Sequence, residues 1–381
     1  MSELSRSNRM ATMNYDRFLS DTAKARFPQE LRVTYEKLMK SGFDPSSFIN
    51  LSGGLPNSSL TPFVSAEFKL SDGSTLKIDE KRMVVAMQYG PSSGDPSFSA
   101  KVKEYIMRHF DPPTAKIPVE ENGLDIFVTS GAIMGVEMAF DLLLNPGDHI
   151  LMPDATYSGS LGAVVPIIGR RPLGVPCDDK GMDPVELRKI LERWGKDAVK
   201  DPKSGIPKCI YLVPTGDNPT GITLPEERRR ELYQVAREYD LIIIEDDPYY
   251  FINFSEKWPP SFLSIDVDGR VIRVDSFSKI IAAGLRIGVV SGPAPLLKRM
   301  MWQMQGTIGH PSSLSQILIS ELLEKWGTEG FDKQVKKCRQ LYLDQRDLII
   351  SYAKKHLQGI AEWVEPSAGM FLWLNIIGIP D

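Results

Sequence analysis

A lysine, two serines and an arginine follow a short apolar run and form the first candidate site. The run Val271–Val274 is followed by Ser276, Ser278 and Lys279, and Arg286 comes seven positions later. A desolvated lysine at the carboxyl end of a parallel strand can attack a carbonyl group and form a Schiff base. The hydroxyls and the guanidinium could together bind a phosphate group. The alternative is a surface turn with a solvated arginine, because short motifs of this kind also arise by chance.

A second candidate group follows the continuous apolar run Leu241–Ile244. Asp246 and Tyr249 are its polar residues of interest. A buried carboxylate is costly unless a cation meets it, and a protonated pyridine nitrogen could do so through a charge-assisted hydrogen bond, while Tyr249 reaches a phenolic oxygen on the same ring. Asp246 or Asp247 could instead be the N-cap of a helix, a role that the following Pro248 fits equally well. This segment taken alone leaves both interpretations open.

A third polar segment follows the predicted strand Cys209–Val213. The residues Asn218-Pro219-Thr220-Gly221 predict a rigid turn, and the amide of Asn218 could donate a hydrogen bond to a ring oxygen without carrying charge. Taken alone, a turn of this kind does not indicate any particular function. An asparagine, an aspartate and a lysine in this order, each after a predicted strand, form a specific set.

These side chains need a scaffold that brings the ends of several strands together, and the middle of the chain predicts one. From about residue 120 to residue 300, short apolar runs alternate with amphipathic ones, which is typical of a parallel sheet covered by helices. The predicted strands are Asp125–Thr129, His149–Met152, Cys209–Val213, Leu241–Ile244, Val271–Val274, Ile287–Val290 and, late in the chain, Met370–Ile376. The predicted helices are Leu31–Met39, Ala132–Leu144 and Pro225–Tyr239.

The composition limits the classes of function. With 42% hydrophobic and 25% charged residues among 381, the chain has the balance of a globular protein with a sizeable core. Its 45 Lys+Arg residues against 49 Asp+Glu residues give a net charge of −4, which argues against a nucleic-acid binder with a strongly basic surface. No apolar run approaches the ~20 residues that span a membrane, so no membrane partner is expected.

Cysteine spacing favours a reducing compartment and no metal site. Cys177, Cys209 and Cys338 are odd in number and far apart, so no disulfide framework is predicted. No spacing such as Cys-x-x-Cys or His-Glu-x-x-His occurs. The first residues, with Arg6 and Arg9, suit either a weak mitochondrial presequence or a short tail. We therefore expect an intracellular protein of the mitochondrial matrix or the cytoplasm.

The ordered segments resemble the pyridoxal-phosphate-dependent aminotransferases of fold type I, classes I and II, and within that group the kynurenine/2-aminoadipate aminotransferases. The resemblance begins near Met13 and runs to the last residue. Its segments are Met13-Asn14-Tyr15, Arg17-Phe18, Gly53–Asn57, Gln88-Tyr89, Tyr157-Ser158-Gly159, Asp246–Phe251, Asp266–Arg270, Ser276–Ile281 and Gly369–Trp373. It implies an α/β fold with a mainly parallel sheet flanked by helices. Residues 1–50 would form an arm and part of a smaller α+β domain, 51–325 the large cofactor-binding domain, and 326–381 the rest of the small domain.

The resemblance also implies a role for each matching residue. Lys279 would be the catalytic residue, forming the Schiff base with pyridoxal 5'-phosphate and moving the substrate's α-proton. The other cofactor contacts would be Asp246 at the pyridine nitrogen, Asn218 and Tyr249 at the phenolic oxygen, Tyr157 on the ring face, and Ser276, Ser278, Arg286, Gly131, Ala132, Ile133 and the other subunit's Tyr89 at the phosphate. The substrate side chain would be bordered by Arg32, Gly54, Leu55 and Phe371. A homodimer is therefore expected.

The implied activity is transfer of the amino group of 2-aminoadipate, kynurenine or a related L-amino acid to 2-oxoglutarate. A different reaction with the same cofactor, such as β-elimination, stays open, because reaction specificity depends on substrate orientation. Some related regulators carry a basic DNA-binding domain at the amino end, and nothing before Leu51 suggests one.

The sequence departs from the family pattern in two places. Ala132 and Ile133 stand where relatives usually place a hydroxyl and an amide on the phosphate, so we expect weaker cofactor retention. After Trp373 the small domain of such enzymes normally continues and supplies an arginine for the substrate α-carboxylate, whereas this sequence stops at Asp381. The small domain is therefore expected to be incomplete. The alternative function is a catalytically impaired or non-catalytic isoform that only binds the cofactor.

Overall fold

The structure is a computed structural model that describes residues 13–30, 34, 54–164, 169–201 and 204–379. Its strands are β1 (Ala66–Lys69), β2 (Thr75–Ile78), β3 (Leu124–Thr129), β4 (His149–Pro153), β5 (Arg171–Val175), β6 (Cys177–Asp178), β7 (Gly181–Met182), β8 (Cys209–Leu212), β9 (Ile242–Asp246), β10 (Val271–Ser276), β11 (Gly288–Pro293), β12 (Ala361–Glu362) and β13 (Asn375–Ile376). Its helices are α1 (Asp21–Ala25), α2 (Glu80–Ala86), α3 (Pro96–Phe110), α4 (Ala132–Leu143), α5 (Ser158–Val164), α6 (Pro184–Leu191), α7 (Glu226–Glu238), α8 (Phe262–Ile265), α9 (Ala294–Gly306) and α10 (Ser313–His356).

A seven-stranded sheet forms the centre of the molecule, with the strand order β3-β11-β10-β9-β8-β4-β5. The pairings from β10 through β5 are parallel, whereas β11 is antiparallel to both β10 and β3. The carboxyl ends of β3, β10, β9, β8, β4 and β5 therefore meet at one edge, where the amino end of β11 joins them. In open α/β sheets this is the edge at which ligands bind.

Helices cover both faces of the sheet and bury its central strands. Every residue of β8, β9 and β11 is buried, as continuous apolar runs require. Because side chains alternate between the faces of a strand, Ile243 joins one apolar core while Ile242 and Ile244 join the other. The buried side of α7 belongs to the first core and that of α4 to the second. The sheet is thus held between two cores.

Smaller elements flank this sheet. The β1–β2 hairpin packs with α2 and α10 in a separate apolar cluster built around Ile78, Met83 and Ile317. The backbone of α10 is not helical at Gly327 (φ 58°, ψ −168°), so the helix is interrupted there. The antiparallel pair β12–β13 follows α10.

The predicted fold class is confirmed, and several predicted elements lie where the sequence puts them. The predicted helix Pro225–Tyr239 is observed as α7, with Pro225 as its N-cap residue, and the predicted helix Ala132–Leu144 is observed as α4. Six of the predicted strands coincide with β3, β4, β8, β9, β10 and β11. The strand β11 runs against its neighbours, an orientation that its apolar pattern does not encode. The predicted helix Leu31–Met39 lies almost entirely outside the described residues.

The late strand predicted over Met370–Ile376 is wrong for most of its length. Only Asn375–Ile376 pairs, as β13. At Gly369 the backbone turns through a positive φ of 76°, and its N–H donates to the carbonyl of Ile252 (2.8 Å). The chain is therefore tied to the turn after β9 at the point where the predicted strand begins, and its next residues cross that turn instead of lying along a partner strand.

Candidate active site

Side chains from several segments meet at the edge of the sheet where the parallel strands end. Asp246 is the last residue of β9 and Ser276 the last of β10. Asn218 lies in the loop that follows β8, and Lys279 lies in the turn that follows β10. The topology thus places an amide, a carboxylate and an amine from three neighbouring strands at one edge.

Asp246 is a buried carboxylate with one free oxygen. Its side chain is 6% exposed, and its Oδ2 accepts a hydrogen bond from the hydroxyl of Tyr211 (2.8 Å). Among the described residues nothing donates to its buried Oδ1. Burial raises the pKa of Asp246 to about 7, although the Tyr211 hydrogen bond opposes this rise. A cationic donor at Oδ1 would offset the cost of burying the charge.

Tyr249 lies close to both Lys279 and Asn218. Residues 248–251 form a turn, so the interpretation of Asp246 or Asp247 as a helix N-cap is wrong. Burial raises the pKa of Tyr249, while a side-chain hydrogen bond with Asn218 lowers it. The phenol therefore stays protonated at neutral pH and can donate. The Nζ of Lys279 lies 5.9 Å from the centroid of the Tyr249 ring.

The start of α4 and the turn before β11 form a corner suited to an anion. Gly288, at the start of β11, pairs with both Ser276 and Thr129. Two residues earlier, Arg286 has a left-handed backbone (φ 54°), and its guanidinium lies so close to Gly131 that a Cβ at that position would collide with it. Helix α4 begins after Gly131 without a side-chain cap. The N–H groups of its first turn therefore suit an anion, together with Arg286.

The side chains around this corner differ in what they can donate. The hydroxyl of Ser276 accepts a hydrogen bond from the N–H of Ser278 (3.1 Å), so both serines lie in the same tight turn. Ala132 is half-buried and Ile133 is 36% exposed. Neither of these two side chains has a hydrogen-bonding group, so at these positions only the backbone can bind a phosphate.

Aromatic rings border the site on two sides. Tyr157 directly precedes α5, and its ring lies against Gly159, where a Cβ would overlap it. Phe371 meets the ring of Tyr249 edge to face, with the centroids 5.6 Å apart and the planes at 84°. One ring comes from the loop after β4 and the other from the segment that follows α10.

Two close backbone approaches hold that late segment on the loop of Asn218. A Cβ at Gly216 would lie 2.6 Å from the Cα of Gly369, and a Cβ at Gly221 would lie 2.5 Å from the carbonyl oxygen of Phe371. These glycines allow main chain to contact main chain. The positions of Asn218 and Phe371 are therefore coupled.

A buried charge network lies in the strands that carry the site. The guanidinium of Arg273 is within 3.0 Å of Glu245, 3.2 Å of Asp247 and 2.7 Å of Asp275. It also lies over the ring of Phe110, 4.1 Å from the centroid. Burial raises the pKa of Asp247 to about 7, against the opposing effect of Arg273. One cation thus serves three buried carboxylates and links β9 to β10.

Two residues of the site region are not singled out by the sequence. Tyr211 reaches Asp246 from within the apolar strand β8, where its hydroxyl is the only signal. Asp217 precedes Asn218 and is 6% exposed. Its Oδ2 accepts from the hydroxyl of Thr220 (2.7 Å), and within the described part of the chain its buried Oδ1 has no donor. Burial raises the pKa of Asp217 to about 6.

Other predicted site residues lie elsewhere on the chain surface. Tyr89 is 64% exposed and Leu55 is 51% exposed, and Gly54 is exposed as well. The amide of Gln88 donates to the carbonyl of Pro56 (2.9 Å) and joins these two segments. Across the described ranges, no contact connects them with Lys279 of the same chain. Arg32 lies outside the described residues.

The residues at this edge fit pyridoxal phosphate. The open Oδ1 of Asp246 suits a pyridinium nitrogen, Arg286 and the start of α4 suit a phosphate, and the amine of Lys279 suits a carbonyl carbon. Among the residues that the structure describes, no group of three or more His, Cys, Asp or Glu could hold a metal ion. Within the same residues, no helix is both long and apolar enough to cross a membrane.

Comparison with known proteins identifies the family. The family model for aminotransferase class I and II matches residues 49–377. The mitochondrial kynurenine/alpha-aminoadipate aminotransferase of Mus musculus is 44% identical over 369 residues, which are 97% of this chain and 86% of that protein.

Solved structures agree with this assignment. Aminotransferase Aro8 of Candida albicans matches with a TM-score of 0.82 at 28% identity, over 94% of this chain and 80% of that one. The kynurenine aminotransferase of Pyrococcus horikoshii, solved with PMP, matches with a TM-score of 0.70 at 26% identity, over 96% and 84% of the two chains. The chain therefore belongs to the class I and II aminotransferases, pyridoxal-phosphate-dependent enzymes of fold type I.

Proposed function

We propose that this aminotransferase moves the amino group of 2-aminoadipate, kynurenine or a related L-amino acid to 2-oxoglutarate, with pyridoxal phosphate attached through Lys279. The products are the corresponding 2-oxo acid and glutamate. The observation that carries the proposal is the open, buried Oδ1 of Asp246 at the same edge as the Lys279 amine, which lies 5.9 Å from the Tyr249 ring. The substrate class is supported by the 44% identity to the mouse kynurenine/alpha-aminoadipate aminotransferase.

Each residue of the site has a distinct task in this reaction. When bound, the cofactor supplies a ring that accepts the negative charge left at the substrate α-carbon. Asp246 would hold a proton on the ring nitrogen through Oδ1, and Asn218 and Tyr249 would orient the phenolic oxygen. Lys279 would hold the cofactor through its amine, and its Nζ would be the base that takes the substrate α-proton.

The remaining contacts fix the position of the cofactor. Arg286, Ser276, Ser278 and the N–H groups of Gly131, Ala132 and Ile133 would bind the phosphate. Tyr157 would stack on the ring face, and Phe371 would border the substrate side chain. Gly54, Leu55 and Arg32 are proposed to complete the substrate pocket.

The test of the mechanism is Lys279→Ala. We expect turnover to fall below detection because alanine has no amine to take the α-proton, while the cofactor stays bound without a covalent link. Reduction with borohydride followed by mass spectrometry shows whether the link has been lost. Lys279→Arg, which retains the charge but not the reactive amine, is the matched control and should behave in the same way. Normal turnover by either variant would exclude the proposal.

The test of the substrate class is the half-reaction in the absence of a 2-oxo acid. With 2-aminoadipate or kynurenine, the absorption of the bound cofactor should change from the pyridoxal to the pyridoxamine form. Addition of 2-oxoglutarate should then restore the first spectrum. An unchanged spectrum with both amino acids would instead support a cofactor-binding protein without transferase activity, and formation of an unsaturated product would point to elimination.

The assembly proposed is a homodimer in which Tyr89 reaches the phosphate bound by the other subunit. Tyr89 is 64% exposed, and the hydrogen bond from Gln88 to Pro56 joins its segment to the one that carries the exposed apolar residues Leu55 (51%) and Leu60 (81%). Exposed apolar side chains in adjoining segments are typical of an interface. Sedimentation at micromolar concentration should give twice the chain mass.

The cellular location proposed is the mitochondrial matrix or the cytoplasm, with the mitochondrial relative favouring the first.

A further inference from the structure

Three polar side chains form a continuous hydrogen-bonded chain through the apolar core behind the proposed ring site. The hydroxyl of Ser160 donates to the hydroxyl oxygen of Tyr211 (2.7 Å). The hydroxyl of Tyr211 then donates to Oδ2 of Asp246 (2.8 Å). The exposed fractions are 0% for Ser160, 0% for Tyr211 and 6% for Asp246. Both hydroxyl dipoles point toward the carboxylate, so each strengthens the other.

Each member of this chain is fixed by the element that carries it. Ser160 lies in the first turn of α5, and its N–H donates to the carbonyl of Tyr157 (3.0 Å). The ring of Tyr211, in the middle of β8, packs edge-on against Phe140 with centroids 5.6 Å apart. These hydrogen bonds therefore connect α5, the helix that follows Tyr157, to the carboxylate of Asp246.

The donors and acceptors leave Asp246 a single open position. A tyrosine hydroxyl has one proton to donate, and here Oδ2 of Asp246 accepts it. Burial holds the pKa of Tyr211 well above its ordinary value, so this proton stays on Tyr211 throughout the working range of pH. Within the described residues Oδ1 receives no donor from the protein.

We propose that Tyr211, supported by Ser160, is a positioning residue for the transamination proposed above. It occupies Oδ2 so that Oδ1 alone faces the ring nitrogen, and it stabilises the carboxylate form of Asp246. A proton shared between Asp246 and the ring nitrogen would thereby stay on the nitrogen, where it is needed for the ring to accept charge. This inference rests on the proposed function, since it requires the cofactor at this site.

The test is Tyr211→Phe in the cofactor-loaded enzyme, with the ring nitrogen of the cofactor labelled with ¹⁵N. Loss of one hydrogen bond to a charged group should move the distribution of the proton about tenfold toward the carboxyl of Asp246. The ¹⁵N signal at neutral pH should therefore move toward that of an unprotonated pyridine. We expect kcat to fall about tenfold, with KM changed less than about twofold, because the stabilisation is used in the chemical step. Ser160→Ala should produce a smaller shift in the same direction.

Tyr233→Phe is the matched control, because Tyr233 is also buried and its hydroxyl donates to a buried aspartate, Asp266 (2.9 Å). Asp266 accepts from the N–H of Val271 at the start of β10, the opposite edge of the sheet from the site. This variant should lower the melting temperature without moving the ¹⁵N signal. An unchanged ¹⁵N signal in a folded, loaded Tyr211→Phe enzyme would overturn the positioning role. If the wild type binds the cofactor but does not transfer amino groups, the proposed function fails, while the ¹⁵N comparison still decides whether Tyr211 positions Asp246.

Discussion

Buried carboxyl groups determine how individual residues of this site respond to pH. Asp217 is the simplest case, since burial raises its pKa to about 6 and the hydrogen bond from Thr220 opposes this only in part. A group whose pKa is higher in the folded than in the unfolded protein stabilises the fold at low pH, and that contribution is lost as the pH rises through the folded value. The ionised form of Asp217 therefore destabilises the protein at neutral pH.

We expect the substitution Asp217→Asn to stabilise the folded protein more at neutral pH than at acidic pH. The amide can still accept from Thr220, yet it never has to be buried as a charge. Relative to the wild type, its free energy of unfolding should rise by about 1–2 kcal/mol between pH 5 and pH 7.5, as measured by urea unfolding. Asp178→Asn is the control. The pKa of Asp178 is lowered by Arg228, so its effect should stay constant over this range. A constant effect for Asp217→Asn as well would contradict the assignment.

The phosphate corner permits a gain of affinity by substitution. In the double variant Ala132→Ser/Ile133→Gln, two side-chain donors are added at the start of α4, where only backbone N–H groups are now available. Each donor to a charged group contributes about 1–3 kcal/mol, so the cofactor should dissociate at least about tenfold less readily. Equilibrium dialysis against pyridoxal phosphate measures this, with Ile133→Met as the size-matched control that adds no donor. Equal affinities in all three proteins would show that these positions do not face the phosphate.

The type and order of residues were sufficient to place Lys279, Asp246 and Asn218 at one edge of the sheet, because each follows a strand. Their roles stay proposals. Tyr211 and Asp217 could not be found in this way. Their importance depends on which oxygen of a buried carboxyl is left without a donor, and only the packed side chains determine that.

At the scale of elements, one cation links the side chains of β9 and β10, in addition to their backbone pairing. Arg273 of β10 serves Glu245 and Asp247 of β9 as well as Asp275 of its own strand. Arg273→Met should lower the free energy of unfolding by about 3–5 kcal/mol, because three buried carboxylates lose the cation that they share, and only neutral donors stay on Glu245 and Asp247. The loss should be greater at pH 8 than at pH 5.5, since the pKa values of Asp247 and Asp275 are already raised by burial and acid neutralises these groups.

The exposed pair of Arg230 and Glu226 on α7 provides the control for that measurement. Arg230→Met removes an arginine whose side chain is 58% exposed, and exposed ion pairs contribute little to stability. If guanidinium unfolding at both pH values shows comparable losses of unfolding free energy for the two variants, the Arg273 network contributes no more to stability than an exposed ion pair.

The elements themselves could be predicted to different degrees. The run Leu241–Ile244 is continuous and apolar because β9 is buried on both faces, and the periodicity of α7 reflects its single buried face. The direction of β11 could not be predicted, since a buried strand has the same composition whichever way it runs. The segment after Gly369 misled the prediction because Phe371 packs against Tyr249 in the turn after β9, and the segment forms a ladder only at Asn375–Ile376.

At the scale of the whole molecule, the proposed dimer can be tested by mixing two defective subunits. In a mixed dimer of Lys279→Ala and Tyr89→Phe chains, one site has both defects and the other has neither, provided that Tyr89 acts across the interface. Activity at limiting cofactor should therefore be recovered after the chains are unfolded and refolded together. Each variant refolded alone is the control. No recovery in the mixture would place Tyr89 in the site of its own subunit or outside any site.

The antiparallel position of β11 between β3 and β10 also has a consequence for how the molecule is made. Residues Thr129 and Gly288 are paired neighbours in the sheet although about 160 residues separate them along the chain. Pairings of such long range close slowly, because a large loop must be ordered first. During synthesis, β3 has to wait for β11 to leave the ribosome before this part of the sheet is complete. The corner proposed to bind the phosphate is therefore among the last parts of the central sheet to form, and hydrogen exchange during refolding should protect Thr129 later than the parallel strands β8 and β9.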